Sequence, residues 1–222
     1  MIRDINLLKS IFDLLGELPN VDLLESESVL SLNEGLESIE IQTDSGLNLE
    51  AQLIVGADGS MSSIRSLSSI PIRTWSYEQT AIVSLLESEL PINETAYQIF
   101  TVTGPIALLP VKVEGEDLIS LIWSADKVYA DKLLTLESSE FLKELELKTE
   151  DKLGKLKVRE EISSFPLHQL HAIKYFSKRT VLVGDSAHTI HPLAGQGLNL
   201  GIADVIDLSE RILLFRREGK DI

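Results

Sequence analysis

The segment 179–210, RTVLVGDSAHTIHPLAGQGLNLGIADVIDLSE, holds the densest set of residues that could do chemistry. It combines a β-branched run, a Gly-Asp pair, two histidines, a proline and three further glycines. Three kinds of site use such residues: a serine nucleophile with its base, a metal centre, and a main-chain surface that receives a flat cofactor. The spacing of the residues separates these alternatives.

A serine hydrolase would use Ser186, in the triplet Gly184-Asp185-Ser186, with His188 as its base. The two side chains are only two positions apart, whereas a catalytic triad is assembled from residues that the fold brings together. The pattern Gly-x-Ser-x-Gly is also absent around this serine. A GDS-type serine hydrolase is therefore the remote alternative.

A metal centre would use the pairs His168/His171 and His188/His191, each spaced i, i+3. Neither pair has a carboxylate or cysteine at a spacing that completes a ligand set. Pro192 also disfavours a continuous helix across the second pair. We therefore expect structural roles for these histidines and no metal.

A cofactor surface accounts for more of the segment at once. Glycines 195, 197 and 201, with Pro192 ahead of them, form a main chain that a flat ligand can approach without interference from side chains. A helix that begins near Gly197 would direct its free N–H groups and partial positive charge at that ligand. Asp185 would accept hydrogen bonds from sugar-alcohol hydroxyl groups, and it would repel a phosphate.

These requirements together match a flavin, which has a ribityl chain and a ring that is negative near N1 and C2=O when reduced. Taken singly, each glycine could cap a loop and Asp185 could cap a helix. The joint pattern favours the flavin.

The elements that must position these residues form two α/β pieces around an antiparallel one. We expect α/β architecture over 1–70 and 176–222, interrupted by an antiparallel β segment with helices over 71–175. The individual patterns predict a helix over 4–18 with Asp4 as N-cap, a hairpin over 36–50, a strand buried on both faces in AQLIVGAD, one or two helices over 127–153, an extended segment closed by Pro166, a strand in RTVLVGD, and a long helix from about Gly197.

In open α/β sheets, ligands bind beyond the carboxyl ends of the strands. Asp58 and Asp185 each follow a predicted buried strand, so we expect both on the ligand side. The long helix places Leu198, Ile202, Val205, Ile206, Ser209 and Leu213 on one face.

Composition narrows the class of protein further. The 222 residues carry a formal net charge of −15, which argues against a nucleic-acid partner because phosphates would be repelled. The chain has no cysteine, in keeping with a reducing compartment. It has neither a secretory signal pattern nor an apolar run of membrane-spanning length. We expect a cytoplasmic protein that at most sits on a membrane surface.

Two motifs resemble those of a known family. The segment VGADGSMSSIR (55–65) resembles the Asp-Gly motif of class A flavoprotein aromatic hydroxylases, and VLVGDSAHTIHPLAGQGLNLGIAD (181–204) resembles their Gly-Asp motif. The segments SFPLHQLHA, QTAIVSLLESE, TAYQIF and TGPIALLPV are most similar to the branch that acts in ubiquinone biosynthesis. The resemblance covers nearly the whole chain.

The resemblance implies FAD as cofactor and NAD(P)H or another reductant as electron donor. It implies a monooxygenase in which a C4a-hydroperoxide of the reduced flavin transfers oxygen to the aromatic ring of a polyprenyl-phenol ubiquinone precursor. The antiparallel segment would cover the substrate. The expected associations are a membrane surface or a biosynthetic complex.

The resemblance also implies roles for individual residues. Asp58, with Gly59, would position FAD and the nicotinamide donor, and Arg65 would close the motif. Gly184-Asp185 would bind the ribityl hydroxyls. The isoalloxazine would be lined by Pro192, Gly195, Gln196, Gly197, Leu198 and Asn199. Ser186 stands where alanine is commoner in the family.

The family opens with a strand and a Gly-x-Gly-x-x-Gly turn that hold the FAD pyrophosphate, and this sequence has no such motif. We therefore expect a fragment that lacks this N-terminal segment and a C-terminal stretch, that binds FAD poorly alone, and whose missing segment a separate N-terminal chain could supply. The alternative is a catalytically inert remnant or an interaction module of the same fold.

Overall fold

The computed structural model describes residues 4–192 and 195–222, and of residues 4 and 5 only the main chain. The chain divides into two compact units. Unit 1 contains Met1–Leu23 and Glu78–Leu167, and unit 2 contains Leu24–Tyr77 and His168–Ile222. These boundaries differ from the predicted segments 1–70, 71–175 and 176–222, because the first 23 residues group with the middle of the chain. The functional labels given to those segments remain predictions.

The helices and strands follow one another in a mixed order. The helices are α1 (Asp4–Gly16), α2 (Ser63–Leu67), α3 (Lys127–Leu134), α4 (Ser138–Lys148) and α5 (Gln196–Arg217). The strands are β1 (Val29–Glu34), β2 (Ile39–Thr43), β3 (Asn48–Ala51), β4 (Ile54–Gly56), β5 (Ile72–Ser88), β6 (Tyr97–Thr101), β7 (Gly104–Val113), β8 (Glu116–Asp126), β9 (Leu156–Val158), β10 (Ser163–Ala172), β11 (Phe176–Ser177), β12 (Thr180–Leu182) and β13 (His188–Thr189).

Unit 1 is built on an antiparallel sheet in the order β5-β8-β7-β6, with β9 also paired to β5. The pairing confirms the antiparallel β structure predicted within 71–175. Trp123, fully buried on β8, has its ring 5.7 Å from the ring of Phe141 on α4. The core of this unit therefore lies between the sheet and the helices α3 and α4.

Gly104 allows β7 to begin against β8. Its φ of +130° is rare for residues with a side chain, and a Cβ built there would lie 2.0 Å from the main-chain oxygen of Ser124. No side chain fits in that space, so the sequence must have glycine at this position.

The Lys- and Glu-rich stretch forms two helices, within the prediction of one or two. The carboxylate of Glu146, on α4, accepts hydrogen bonds from Lys155 Nζ at 2.9 Å and from the Leu156 main-chain N–H at 2.9 Å. This carboxylate therefore ties α4 to the start of β9.

The prediction that Pro166 closes the extended segment is wrong, because β10 continues to Ala172. Pro166 lies in the exposed first part of that strand, where strands tolerate a missing N–H.

Unit 2 contains two three-stranded sheets. The first is antiparallel in the order β1-β2-β3, and its β2–β3 pairing confirms the predicted hairpin. Sequence reasoning missed β1. The second has the order β11-β12-β4, and in it β12 runs parallel to β4 with Thr180 opposite Ile54 and Leu182 opposite Gly56. The apolar segments AQLIVGAD and RTVLVGD, far apart in sequence, thus form neighbouring parallel strands.

The prediction that the first of these strands is buried on both faces is wrong. In the described part of the chain β4 is the edge strand of its sheet, and Val55 at its centre is 42% exposed. A buried parallel strand needs cover on both faces and a neighbour on each side. The part of the chain that the structure describes provides only β12 as neighbour.

The helix α5 begins at Gln196, one residue before the predicted start. None of its residues is buried, and the apolar side chains predicted to share a face are between 48% and 57% exposed: Leu198, Ile202, Val205, Ile206 and Leu213. The helix α1 begins at Asp4, whose predicted capping side chain lies outside the described residues. Among the described helices, none is both long and apolar enough to cross a membrane.

Candidate cofactor site

The two motif loops leave the same edge of the β11-β12-β4 sheet. Because β4 and β12 are parallel and end opposite one another, Asp58 and Asp185 both follow the same edge of the sheet. That this edge faces a ligand stays a prediction. The Val183 N–H donates to the Gly56 oxygen at 3.0 Å and continues the pairing one residue beyond the strands. The main chain of one motif is thus in direct contact with that of the other.

Ser186 is part of this contact. Its side chain is fully buried, and its hydroxyl lies 2.5 Å from the Gly56 oxygen and 2.8 Å from the Val183 oxygen. A hydroxyl that is buried and donates to the main chain cannot act as an exposed nucleophile. The hydrolase alternative is therefore contradicted, and the serine has a structural role that alanine could not fill.

Arg65 forms the second tie between the loops. Its side chain is buried, and the residue is 6% exposed. Nη1 donates to the Ser186 main-chain oxygen and Nη2 to the Ser60 main-chain oxygen, each at 2.8 Å. A guanidinium has several donors in a fixed plane, which suits it to bridging two carbonyl groups. The residue that closes the Asp-Gly motif thereby holds the Gly-Asp loop.

The carboxylate of Asp58 accepts hydrogen bonds from the start of the helix α2, whose N-cap is Ser62. Oδ1 accepts from Ser62 Oγ at 2.5 Å, and Oδ2 accepts from Ser63 Oγ and from the Ile64 N–H, both at 3.1 Å. Burial raises the pKa of this carboxyl, but the hydrogen bonds outweigh burial and hold the pKa below its usual value. Asp58 therefore shapes its own loop, and its predicted contact with FAD and the nicotinamide donor stays a prediction. Gly59, next to it, has a φ of +80° and open space where a Cβ would stand.

Unlike Asp58, Asp185 does not use its carboxylate to shape its own loop. It is exposed, and no described residue donates a hydrogen bond to its carboxylate or forms an ion pair with it. Its main-chain oxygen accepts from Thr189 Oγ1 at 3.3 Å, which helps to fix the turn. The carboxylate is therefore available to an external hydroxyl donor.

Glycines 184 and 201 face each other between the Gly-Asp turn and α5. Gly184 has a φ of +60°, and a Cβ built on Gly201 would lie 3.3 Å from the Gly184 Cα. The expectation that Gly201 exposes main chain to the ligand is corrected by this contact, because its missing side chain lets the helix approach the turn.

Glycines 195 and 197 remain open. No described atom lies within 4 Å of a Cβ built on either of them. Gly195, with a φ of +62°, precedes α5, and no side chain caps the helix there. The Gly195 N–H donates to the Pro192 oxygen at 3.1 Å. Gln196, Leu198 and Asn199 are exposed on the first turn of the helix. Two residues of the motif, 193 and 194, lie outside the described residues.

The two histidines of the second pair have partners within the protein. His188 Nε2 lies 2.7 Å from Asp204 Oδ2, and the His191 ring meets the edge of Tyr77 with centroids 5.0 Å apart. Burial lowers the pKa of His191. Across residues 4–192 and 195–222, no three His, Cys, Asp or Glu side chains are grouped to hold a metal ion.

Asp204 is the residue that sequence reasoning missed. It accepts from His188 and also from the Gly184 N–H at 2.8 Å. Its position seven residues after Gly197 and three after Gly201, one face of a helix, could have signalled the contact.

Solved structures share this architecture. Over 96% of this chain and 60% of the other, the fold matches PqsL, a probable FAD-dependent monooxygenase from Pseudomonas aeruginosa, with a TM-score of 0.83 and 21% identity. The p-nitrophenol 4-monooxygenase PnpA from Pseudomonas putida matches with a TM-score of 0.77 and 18% identity, over 98% of this chain and 55% of the other. The fold is thus that of the FAD-dependent monooxygenases.

Sequence comparison narrows the assignment. The model of the FAD binding domain family matches residues 15–221. The chain therefore belongs to the FAD binding domain family.

Curated relatives include the ubiquinone hydroxylase UbiL of Rhodospirillum rubrum, 36% identical over 100% of this chain and 51% of the relative. Another is the 3-demethoxyubiquinol 3-hydroxylase of Escherichia coli, 30% identical over 99% of this chain and 55% of the relative. The chain spans about half the length of the curated relatives that it matches.

Proposed function

We propose that this chain forms the flavin-facing part of an FAD-dependent monooxygenase that hydroxylates the aromatic ring of a ubiquinone precursor. The observation that carries the proposal is the contrast within the motif loops. Asp185 and the main chain at Gly195 and Gly197 are open to a ligand. In contrast, Arg65 and Ser186 hold the two loops together, and Asp58 binds the start of its own helix.

The residues present fit a flavin. Where the two open glycines stand, side chains would narrow the space above the main chain, so their absence leaves room for a flat ring. The unpartnered carboxylate matches ribityl hydroxyl donors. Among the described residues, no side chain caps the start of α5. The first N–H groups of a helix have no partner within it and carry a partial positive charge, which matches an electron-rich ring edge.

In this proposal each part of the site has a distinct role. Asp185 binds and orients the ribityl chain, and Gly184 shapes its turn. Pro192 and the segment 195–199 would line the isoalloxazine, and the start of α5 would stabilise negative charge on it. Bound FAD would supply the transfer of electrons from NAD(P)H or another reductant to dioxygen and the delivery of one oxygen atom to the substrate ring.

The substrate class rests on the relatives. Several of them are named for ubiquinone hydroxylation or biosynthesis, which supports a polyprenyl-phenol as substrate. The family resemblance gives the antiparallel segment the role of covering the substrate. A substrate with a polyprenyl tail supports association with a membrane surface or with a biosynthetic complex.

Titration with FAD, followed by flavin fluorescence, tests the proposal. We expect the 222-residue chain alone to bind micromolar or weaker, and to bind more tightly when a segment with the Gly-x-Gly-x-x-Gly turn is supplied in trans. Asp185→Ala should lower the affinity of that mixture at least about tenfold, since it removes a charged hydrogen-bond acceptor. Asp131→Ala, an equal charge change on an exposed side chain of unit 1, is the matched control. An unchanged affinity in Asp185→Ala would contradict the proposed site.

A second candidate function is an interaction module or inert remnant of the fold. The observation in its favour is α5, whose apolar residues are exposed along its length. A separate N-terminal chain with an apolar surface could cover that face. NAD(P)H oxidation by the mixture would favour the enzyme. Binding of the added segment without any FAD binding would favour the module.

A further inference from the structure

Asp204 on α5 is contacted from two sides within unit 2. Its Oδ2 atom accepts from the Gly184 N–H at 2.8 Å and lies 2.7 Å from His188 Nε2. The side chains of His188 and Asp204 are 11% and 24% exposed. Asp204 Oδ2 therefore connects the main chain of Gly184, which precedes Asp185, to the ring of His188, which follows it.

The glycine contact brings Asp204 within reach of the turn. Gly197, Gly201 and Asp204 share one face of α5, and a Cβ on Gly201 would stand 3.3 Å from the Gly184 Cα. Because Gly201 has no side chain, the helix lies close enough for Asp204 to meet the Gly184 N–H. Gly184 itself has a φ of +60°, which turns the chain away from the extended conformation of Val183 immediately after this N–H.

The ring of His188 is fixed from the other side. The strand β13 pairs with β10, with His188 opposite His171. The ring centroids of His188 and Tyr175 are 5.7 Å apart. The Asp204 carboxylate thus connects α5 to a histidine that the sheet already holds.

We propose that Asp204 is a positioning residue for the cofactor. It holds Gly184 and His188 on either side of Asp185 and so fixes the direction of the Asp185 carboxylate. This inference rests on the proposed function, in which Asp185 binds the ribityl hydroxyls. A bond from an N–H to a charged acceptor is shorter and stronger than one between neutral groups, which suits a carboxylate to this task.

A double-mutant cycle on FAD affinity tests the inference. In the presence of the segment with the Gly-x-Gly-x-x-Gly turn, Asp204→Ala should weaken FAD binding about tenfold. In an Asp185→Ala background the same change should cost less than about twofold, because Asp204 acts through Asp185. Asp204→Asn keeps an acceptor oxygen and should restore most of the affinity. Equal losses in the two backgrounds would overturn the inference.

Two further variants guard the experiment. Asp207→Ala, on the same helix and paired with exposed Arg211, is the matched control and should leave the affinity unchanged. Gly201→Ala leaves Asp204 in place but puts a methyl group against Gly184. Gly201→Ala should also weaken FAD binding less in the Asp185→Ala background than in the wild type. If Asp204→Ala fails to fold, this comparison tests the inference in its place.

A readout without FAD separates this inference from the proposed function. Hydrogen exchange at the Gly184 amide should be at least about tenfold faster in Asp204→Ala than in the wild type or Asp207→Ala. Unchanged exchange would overturn the anchoring role. Faster exchange in a mixture that binds no FAD would overturn the proposed function, and with it the role of Asp204 toward the cofactor.

Discussion

Arg65 Nη1 donates a hydrogen bond to the Ser186 main-chain oxygen at 2.8 Å, although 121 positions separate the two residues in sequence. The same guanidinium binds the Ser60 oxygen of its own loop at 2.8 Å. Both loops that carry the family motifs are therefore held by one buried side chain. The geometry of the candidate flavin site depends on this tie as much as on the residues that face the ligand.

Replacing Arg65 should destabilise unit 2. Arg65→Ala removes two hydrogen bonds from a charged donor and leaves two carbonyl groups without that partner, at a cost of roughly 2–4 kcal/mol in the free energy of unfolding. Urea unfolding followed by circular dichroism measures this. Arg216→Ala, an exposed arginine near the end of α5, is the matched control. Equal midpoints for the two variants would show that the tie is dispensable.

Asp58 should contribute stability at neutral pH that is lost in acid. Its folded pKa is lowered: burial raises it, but the hydrogen bonds from Ser62, Ile64 and Ser63 outweigh burial. The contribution is therefore present above the ordinary value of 3.8 and disappears as the pH falls through the folded pKa.

Asp58→Ala tests this contribution. It should cost about 1 kcal/mol at pH 7, because the hydrogen bonds to the carboxylate are lost, and the cost should shrink below pH 4. Free energies of unfolding measured at both pH values give the comparison. A cost that stays constant into acid would argue against the carboxylate as the stabilising form.

His191 should destabilise the protein as the pH falls from neutral. Burial lowers its folded pKa below the ordinary value of 6.5, so the unfolded chain takes up the proton first. Stability is full above 6.5 and is lost as the pH falls below that value. His191→Gln should flatten the change in unfolding free energy between pH 8 and pH 5. His168→Gln is the control, and an identical slope in both variants would contradict the assignment.

Gly104 should not tolerate a side chain. An alanine Cβ would stand 2.0 Å from the Ser124 oxygen, so Gly104→Ala should cost more than about 3 kcal/mol or prevent folding. Gly115→Ala is the matched control, because Gly115 also has a positive φ of +90° but has open space around its Cβ position. It should cost about 1 kcal/mol from backbone strain alone. Thermal unfolding of the two variants distinguishes a clash from strain.

Local patterns predicted most of the elements. The local pattern over 36–50 predicted the hairpin β2–β3, and the glycines around position 197 predicted the start of α5 within one residue. The prediction that Pro166 ends its extended segment was wrong. Proline lacks only its own N–H, so a strand continues through it where the neighbouring strand does not need that donor. Burial of β4 was also misread, because the apolar texture of a strand does not reveal whether a neighbour covers it.

Local patterns could not predict which strands distant in sequence pair with each other, such as β4 and β12. The sequence alone determined which residues could meet a flavin, because glycine freedom, carboxylate chemistry and helix polarity belong to residue types and their local spacing. Only the tertiary structure decided how these residues are used. Asp58 accepts hydrogen bonds from its own helix, and the carboxylate of Asp185 is exposed. Gly201 lets α5 lie close to Gly184. The physical reason is that a hydrogen bond depends on distances of a few ångströms, which the packing of distant segments sets.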